Sequence, residues 1–329
     1  MINKHLSLWL FDQLANRFIP SEARRLITRA RDMGSVEEYK RFIKTYICEQ
    51  INYTLKSYLT EKRLPPTFLE FTIKDDGRIS FIYRQFAQFL RVDRRILDVR
   101  VGNASFIRPT KEGFIIYIKR SKHQRMLTEL SHEIGHTYLY EAGCAVSMPL
   151  CITCAPDEPA YVLWKIQEGL AYELGREVLL PRYAFLDYVE RRGREPSLET
   201  FLTMLKELKV SKLVLAKRLV HELKAWDVGI CWGHITDGKA DVDISRNVVV
   251  GSTLKRYAIA GGLSRLVCNI VMDTFKRGPR NVHDEVFRGT RTVRRRKGGY
   301  ASVEYELKMF SHVQRDSHTS FICLIYPRK

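Results

Sequence analysis

Apolar positions recur at spacings of three and four from Ile2 to about Thr60, as in Leu14/Phe18, Phe42/Tyr46 and Ile51/Leu55, with no strand-like alternation. That period turns one face of a helix inward, so the chain is expected to open with a helical segment. Phe68–Ile73 and Ile79–Tyr83 are short apolar runs on either side of Asp75-Asp76-Gly77, a turn signal that predicts a β-hairpin. Ile96–Val101 and Gly113–Ile118 add two strands, and the second runs directly into a helical pattern over Ser121–His132. Past Gly143, Pro149, Pro156 and Pro159 exclude continuous helix. A second helix is predicted from Ala160 to Leu180, stopped by Pro181. Pro196-Ser197-Leu198 opens a helical pair broken near Lys209-Val210-Ser211. Beyond Trp226 short strand patterns take over, at Asp241–Ile244, Asn247–Val250, Ala301–Leu307 and Ser320–Tyr326, with one apolar helix from Leu263 to Phe275. No internal repeat is visible. The predicted class is α+β, with parts over residues 1–192, 193–226 and 227–329.

Inside the first long helix lies His132-Glu133-Ile134-Gly135-His136. Two histidines four apart stand one turn above each other, so both imidazoles can reach one tetrahedral metal, for which zinc is the default. Glu133 sits about 100° round the helix, beside a metal-activated water and off the metal, where a general base belongs. A zinc hydrolase needs a third protein ligand. The helix Ala160–Leu180 offers Glu168, Glu173 and Glu177. With Ile166, Leu170, Leu174 and Val178 as its packed stripe, Glu168 shares a face with Ala171, Tyr172 and Gly175, whose small members allow close approach of another helix. Glu168 is the favoured ligand. Glu173 and Glu177 point roughly 140–180° away and remain alternatives, more at home on a solvated face with Arg176. The strand Phe114–Ile118 is the expected edge for holding an extended substrate.

The length of 329 residues and 45% hydrophobic content support more than one domain. A formal net charge of +18 points to an anionic partner such as nucleic acid, or to solubility alone. Met1–Phe11 is too short and too soon interrupted by Asp12 for a secretion signal, and no run approaches membrane-spanning length. Seven cysteines without framework spacing fit a reducing cytoplasm.

Three further clusters carry weaker signals. Cys144, Cys151 and Cys154 have ligand-like spacing and could join Cys231 or His234 in a structural zinc site, but the pairs lie far apart in sequence and loop thiols are the favoured reading. Residues 198–208 and 211–221 fit a helix-turn-helix, with Ser211 as N-cap and Lys212, Lys217, Arg218 and His221 as a basic face for DNA or for solvent. Lys276–Lys297 holds nine lysines and arginines against Asp284 and Glu285, enough to neutralise several phosphates if it is more than a solvated loop.

Taken together, His132-Glu133-Ile134-Gly135-His136, Glu168-Gly169-Leu170-Ala171 and Val178-Leu179-Leu180-Pro181, with the lead-in Met126–Ser131 and the later Leu208–Leu219, resemble the ImmA/IrrE metallopeptidases over about residues 70–225. That family's pattern is His-Glu-x-Gly-His, then Glu-x-x-Ala, then Leu-Leu-Met-Pro. The chain departs from it with Tyr140 where many members have a histidine, and with Ala171-Tyr172 in place of Ala-Asn. The resemblance implies a small zincin-like domain with His132, His136 and Glu168 on zinc and Glu133 as base. It also implies helix-turn-helix-like helices and a C-terminal domain related to GAF-type sensors. Its function would be cytoplasmic cleavage of a helix-turn-helix repressor, switching on stress-response or mobile-element genes. The rival is a DNA-binding transcriptional regulator whose zinc site is vestigial or structural.

Overall fold

Buried side chains on α3 (Val36–Glu61) fall at Tyr39, Ile43, Ile47, Ile51, Leu55 and Leu59, a four-residue period that lays one unbroken stripe along 26 residues. Phe42 lies off that stripe and is half exposed, so the Phe42/Tyr46 spacing is not the packed one. The structure is a computed structural model and describes residues 2–33, 36–61, 70–81, 96–145, 158–192, 195–236, 239–241, 248–251, 283–294, 300–313 and 319–327. It is α+β and divides into two units, Met1–Phe185 and Leu186–Lys329. The sequence places boundaries near 192 and 226, whereas here the helices after residue 193 share a unit with the C-terminal strands.

In the first unit α1 (Ile2–Phe18), α2 (Ser21–Met33) and α3 form the expected helical opening. β1 (Phe71–Ile73) and β2 (Ile79–Phe81) make the hairpin predicted at Asp-Gly. Gly77 takes the left-handed conformation with φ 78°, and the Asp76 carboxylate accepts from the Arg78 amide at 3.0 Å. β3 (Ile96–Gly102), β4 (Phe106–Pro109) and β5 (Gly113–Lys119) form a sheet in the order β3-β5-β4, with β3 parallel and β4 antiparallel to β5. Phe114, Ile116 and Ile118 alternate inward on β5 and are buried. They pack on α4 (His123–Glu141), which the strand feeds as expected. β5 is central, so both its edges are already hydrogen-bonded and it cannot pair with a substrate. The edges of this sheet are β3, which bridges Arg78 at Arg100, and β4, which pairs with no described strand besides β5. α5 (Pro159–Leu179) crosses α4, and α1 and α3 pack on it.

The division between units falls within α6 (Arg182–Arg192). In the second unit α7 (Leu198–Leu208) is capped by Ser197, whose hydroxyl accepts from the Thr200 amide at 3.0 Å, and ends at Lys209 with φ 53°. α8 (Lys212–Lys217) is capped by Ser211, as read from the sequence, and runs into a π-helical turn, Arg218–Glu222. β6 (Gly229–Thr236), β7 (Lys239–Asp241), β8 (Val248–Val250), β9 (His283–Arg294), β10 (Tyr300–Val313) and β11 (Thr319–Pro327) form an antiparallel sheet, in the order β7-β6-β11-β10-β9 with β8 also on β6. α7 lies on β10, and α8 with the π turn on β8.

The sequence marks Lys276–Lys297 as a basic run able to meet phosphates, with a solvated loop as the alternative; of it, 283–294 is a strand paired with β10. The charges hid its strand character, because a sheet edge tolerates arginine readily. Residues 276–282 and 295–297, and the expected helix Leu263–Phe275, lie outside the described residues. No described helix is long and apolar enough to cross a membrane.

Candidate metal centre

α4 presents an apolar stripe (Met126, Leu127, Leu130, Ile134) and, beside it, a polar one that is also buried: Ser131, His132, Glu133 and Thr137. Burying such groups costs free energy unless they find partners: Ser131 and Thr137 donate to the Thr128 and Ile134 carbonyls of α4 itself, and α5 supplies Glu168 to His132. It starts with Pro159 at its first turn. The two helices meet almost backbone to backbone. A Cβ on Gly135 would lie 2.0 Å from the Ala171 carbonyl oxygen, and one on Gly175 would lie 2.2 Å from that of Ser131. Only hydrogen fits at either place. That approach puts Glu168 opposite the two histidines, as the small residues Ala171 and Gly175 predict.

His132 Nε2 and His136 Nε2 are 3.1 Å apart, and they lie 3.2 Å from Glu168 Oε2 and Oε1 respectively. The side chains are 10%, 14% and 26% exposed, so the cluster is recessed yet open to solvent on one side. Among the described residues this is the one group of His, Cys, Asp and Glu that could hold a metal ion. The donor set fits one. Ligands about 2.0–2.1 Å from a tetrahedral ion stand roughly 3.3 Å apart, close to the spacing found. A further sign is the buried Nδ1 of His132, which has no hydrogen-bond partner among the described residues.

Electrostatics separate the two glutamates. Burial pushes the Glu133 carboxyl up to about 7, with Glu168 and Glu129 adding to the rise and His136 opposing it. Burial also raises Glu168, but hydrogen bonds from His132 and His136 outweigh it and hold that carboxyl at about 2. One is a permanent anion between two imidazoles. The other exchanges a proton near neutrality, the range a general base needs.

The alternatives for a third ligand are placed elsewhere. Glu173 pairs with Lys44 at 2.9 Å. Glu177 is not on a solvated face: it is buried, accepting from Asn52 Nδ2 at 2.5 Å and from Arg182 at 3.3 Å. Asn52 is 125 residues away in sequence, so no local pattern could reveal it. Sequence reasoning also missed three supports. Gln167 donates to the Cys144 carbonyl and ties down the end of α4. Glu129 takes the Ser105 hydroxyl and Arg125 Nε, linking α4 to the start of β4. The Tyr172 ring lies 3.8 Å from that of His132.

The remaining clusters are only partly within the described residues. Cys144 is buried and donates to the Leu139 carbonyl at 3.4 Å, while Cys151 and Cys154 lie outside the described residues. Cys231 stands opposite Cys323 in the sheet, and positions 231 and 234 are on opposite faces of β6, so that pair does not form a two-ligand knuckle. The basic face of 211–221 is also incomplete. Arg218 is 2% exposed and pairs with Glu222, and burial lowers the pKa of Lys212, leaving the half-buried Lys217 and the exposed His221.

No family model matches the sequence, and no curated protein does. Among solved structures the chain is similar to a Mycobacterium tuberculosis transcriptional regulator, at 13% identity and a TM-score of 0.40 over 84% of this chain and 76% of that one, a likeness too distant to carry any argument.

Proposed function

We propose that this chain is a zinc-dependent endopeptidase that cuts a helix-turn-helix repressor. The observation that carries this reading is the convergence of His132, His136 and Glu168 beside a buried Glu133. The resemblance of the same residues to the ImmA/IrrE motifs supports the choice of zinc and of substrate. His132, His136 and Glu168 would hold the ion. Bound there, zinc supplies Lewis acidity, acidifying water and polarising a peptide carbonyl. Glu133 takes the proton that the attacking water gives up and delivers it to the amine nitrogen of the leaving half. Its carboxyl is suited to both directions because burial holds its proton affinity near neutrality. The substrate runs as an extended strand along the open edge of β4, whose start is tied to the motif helix through Ser105 and Glu129.

The test is incubation with a helix-turn-helix repressor, taken from the neighbouring genes where one is encoded there. A single defined cut is expected, with casein left intact and about one zinc per chain. Glu133→Gln keeps the zinc and loses about 10²–10⁴-fold in rate, because it removes a base and no ligand. His136→Ala loses zinc and cleavage together. Full cleavage by Glu133→Gln would refute the base assignment, and a zinc-bearing parent that cuts nothing would favour the regulator with a structural site.

A further inference from the structure

One atom of His132 is left over by the metal site. Nε2 is turned toward Glu168 and His136, so ligation through it would leave the ring proton on Nδ1, which is buried and has no hydrogen-bond partner among the described residues. Ligating histidines ordinarily donate this second N–H to a carboxylate, carbonyl or water, and that bond fixes the ring. Here the ring is held by other means. Tyr172 stands one turn beyond Glu168 on α5, and its ring covers His132 with centroids 3.8 Å apart and planes 34° from parallel. The His136 ring meets His132 at 4.6 Å and 85°. The imidazole is thus fixed by two rings at different angles.

We infer that Tyr172 is a positioning residue for the metal centre, its ring clamping His132 in the ligating orientation in place of a hydrogen bond to Nδ1. The inference rests on the metal-site reading above. Metal ligation draws electron density out of the imidazole, and an electron-poor ring is attracted to the negative face of an aromatic neighbour. The stack is therefore stronger in the loaded protein than in the empty one, and it contributes to metal affinity as well as to packing. The phenolic hydroxyl has no part in this, so phenylalanine suffices. Tyr172 is 51% exposed, which means truncation leaves no cavity in the core.

The experiment is competition for zinc between a chromophoric chelator and the full chain as parent, Tyr172→Ala and Tyr172→Phe, with thermal unfolding of each metal-free protein as the folding control. The alanine variant is expected to raise the zinc dissociation constant about 10–100-fold at unchanged unfolding temperature, the usual effect of losing support behind a ligand. The phenylalanine variant stays within about threefold of the parent, since the stacking face is kept. An alanine variant that binds as tightly as the parent overturns the clamp and leaves the metal site standing. A phenylalanine variant as weak as alanine also overturns it, by assigning the effect to the hydroxyl. A parent with no measurable zinc affinity overturns the metal-site reading and the clamp with it.

Discussion

Two helix pairs in this molecule share the same three-four spacing and bury very different things. Between α4 and α5 the enclosed groups include Ser131, His132, Glu133, Thr137 and Gln167, and the approach is close enough that Gly135 and Gly175 touch backbone. Around α7 and α8 they are Phe201, Met204, Leu208, Leu215, Leu219 and Trp226, with the Phe201 and Trp226 rings 6.3 Å apart. The first pair buries a cluster of polar groups that cost free energy to desolvate, and the second buries mainly carbon, with Arg218 as its one ion-paired exception among the described residues. Helical period alone therefore says nothing of function. What distinguishes a chemical site from a packing site is which atoms the period carries inward.

The contrast is broken most forcefully at Gly135. Gly135→Ala should destabilise the first unit by about 3 kcal/mol or more, because the new methyl collides with a carbonyl that cannot turn away, and it should abolish zinc binding. Gly169→Ala is the control. A Cβ there meets nothing within 4 Å, so the helix gains about 0.5–1 kcal/mol from the better helix former. Urea titration with metal analysis reads both, and a harmless Gly135→Ala would mean the helices are not in backbone contact.

In the second pair, Arg218→Ala should cost about 2–3 kcal/mol by removing a buried ion-pair partner of Glu222 and leaving a gap, with zinc content unchanged. If Arg218 instead faced DNA, the substitution would leave the urea midpoint where it was.

A further effect concerns Glu133, and its size depends on pH. Burial raises its pKa from 4.5 to about 7, so the metal-free fold favours the protonated carboxyl and loses stability as pH rises between those values. Glu133→Gln should make the metal-free protein more stable at pH 8 by on the order of 2 kcal/mol, and should make no difference at pH 4. Equal gains at both pH values would show that burial of charge is not the cause.

Legibility followed the same divide. His132, His136 and Glu168 could be found because helical spacing fixes their faces and Ala171 and Gly175 announce a close neighbour. The hairpin at Gly77 and the caps at Ser197 and Ser211 are equally local. Strand order is not local: whether β5 is central or at an edge depends on where β3 and β4 land, and no periodicity in Phe114–Ile118 encodes that. Glu177 read as solvated because its partner Asn52 lies in another helix, and Arg218 because a charged residue on a short helix is ordinarily exposed. The strand His283–Arg294 was hidden by its arginines.

The crossing at Gly135 and Gly175 also limits how the chain can recover from error. In an ordinary core, an oversized side chain can be accommodated by trimming the side chain it strikes. Here the atoms struck are carbonyls, which every amino acid carries alike. A genetic selection for restored activity, begun from a damaged Gly135, should return glycine at the same codon and find no compensating change at Ala171 or Ser131. At these two positions the chain has no second-site suppressors to draw on.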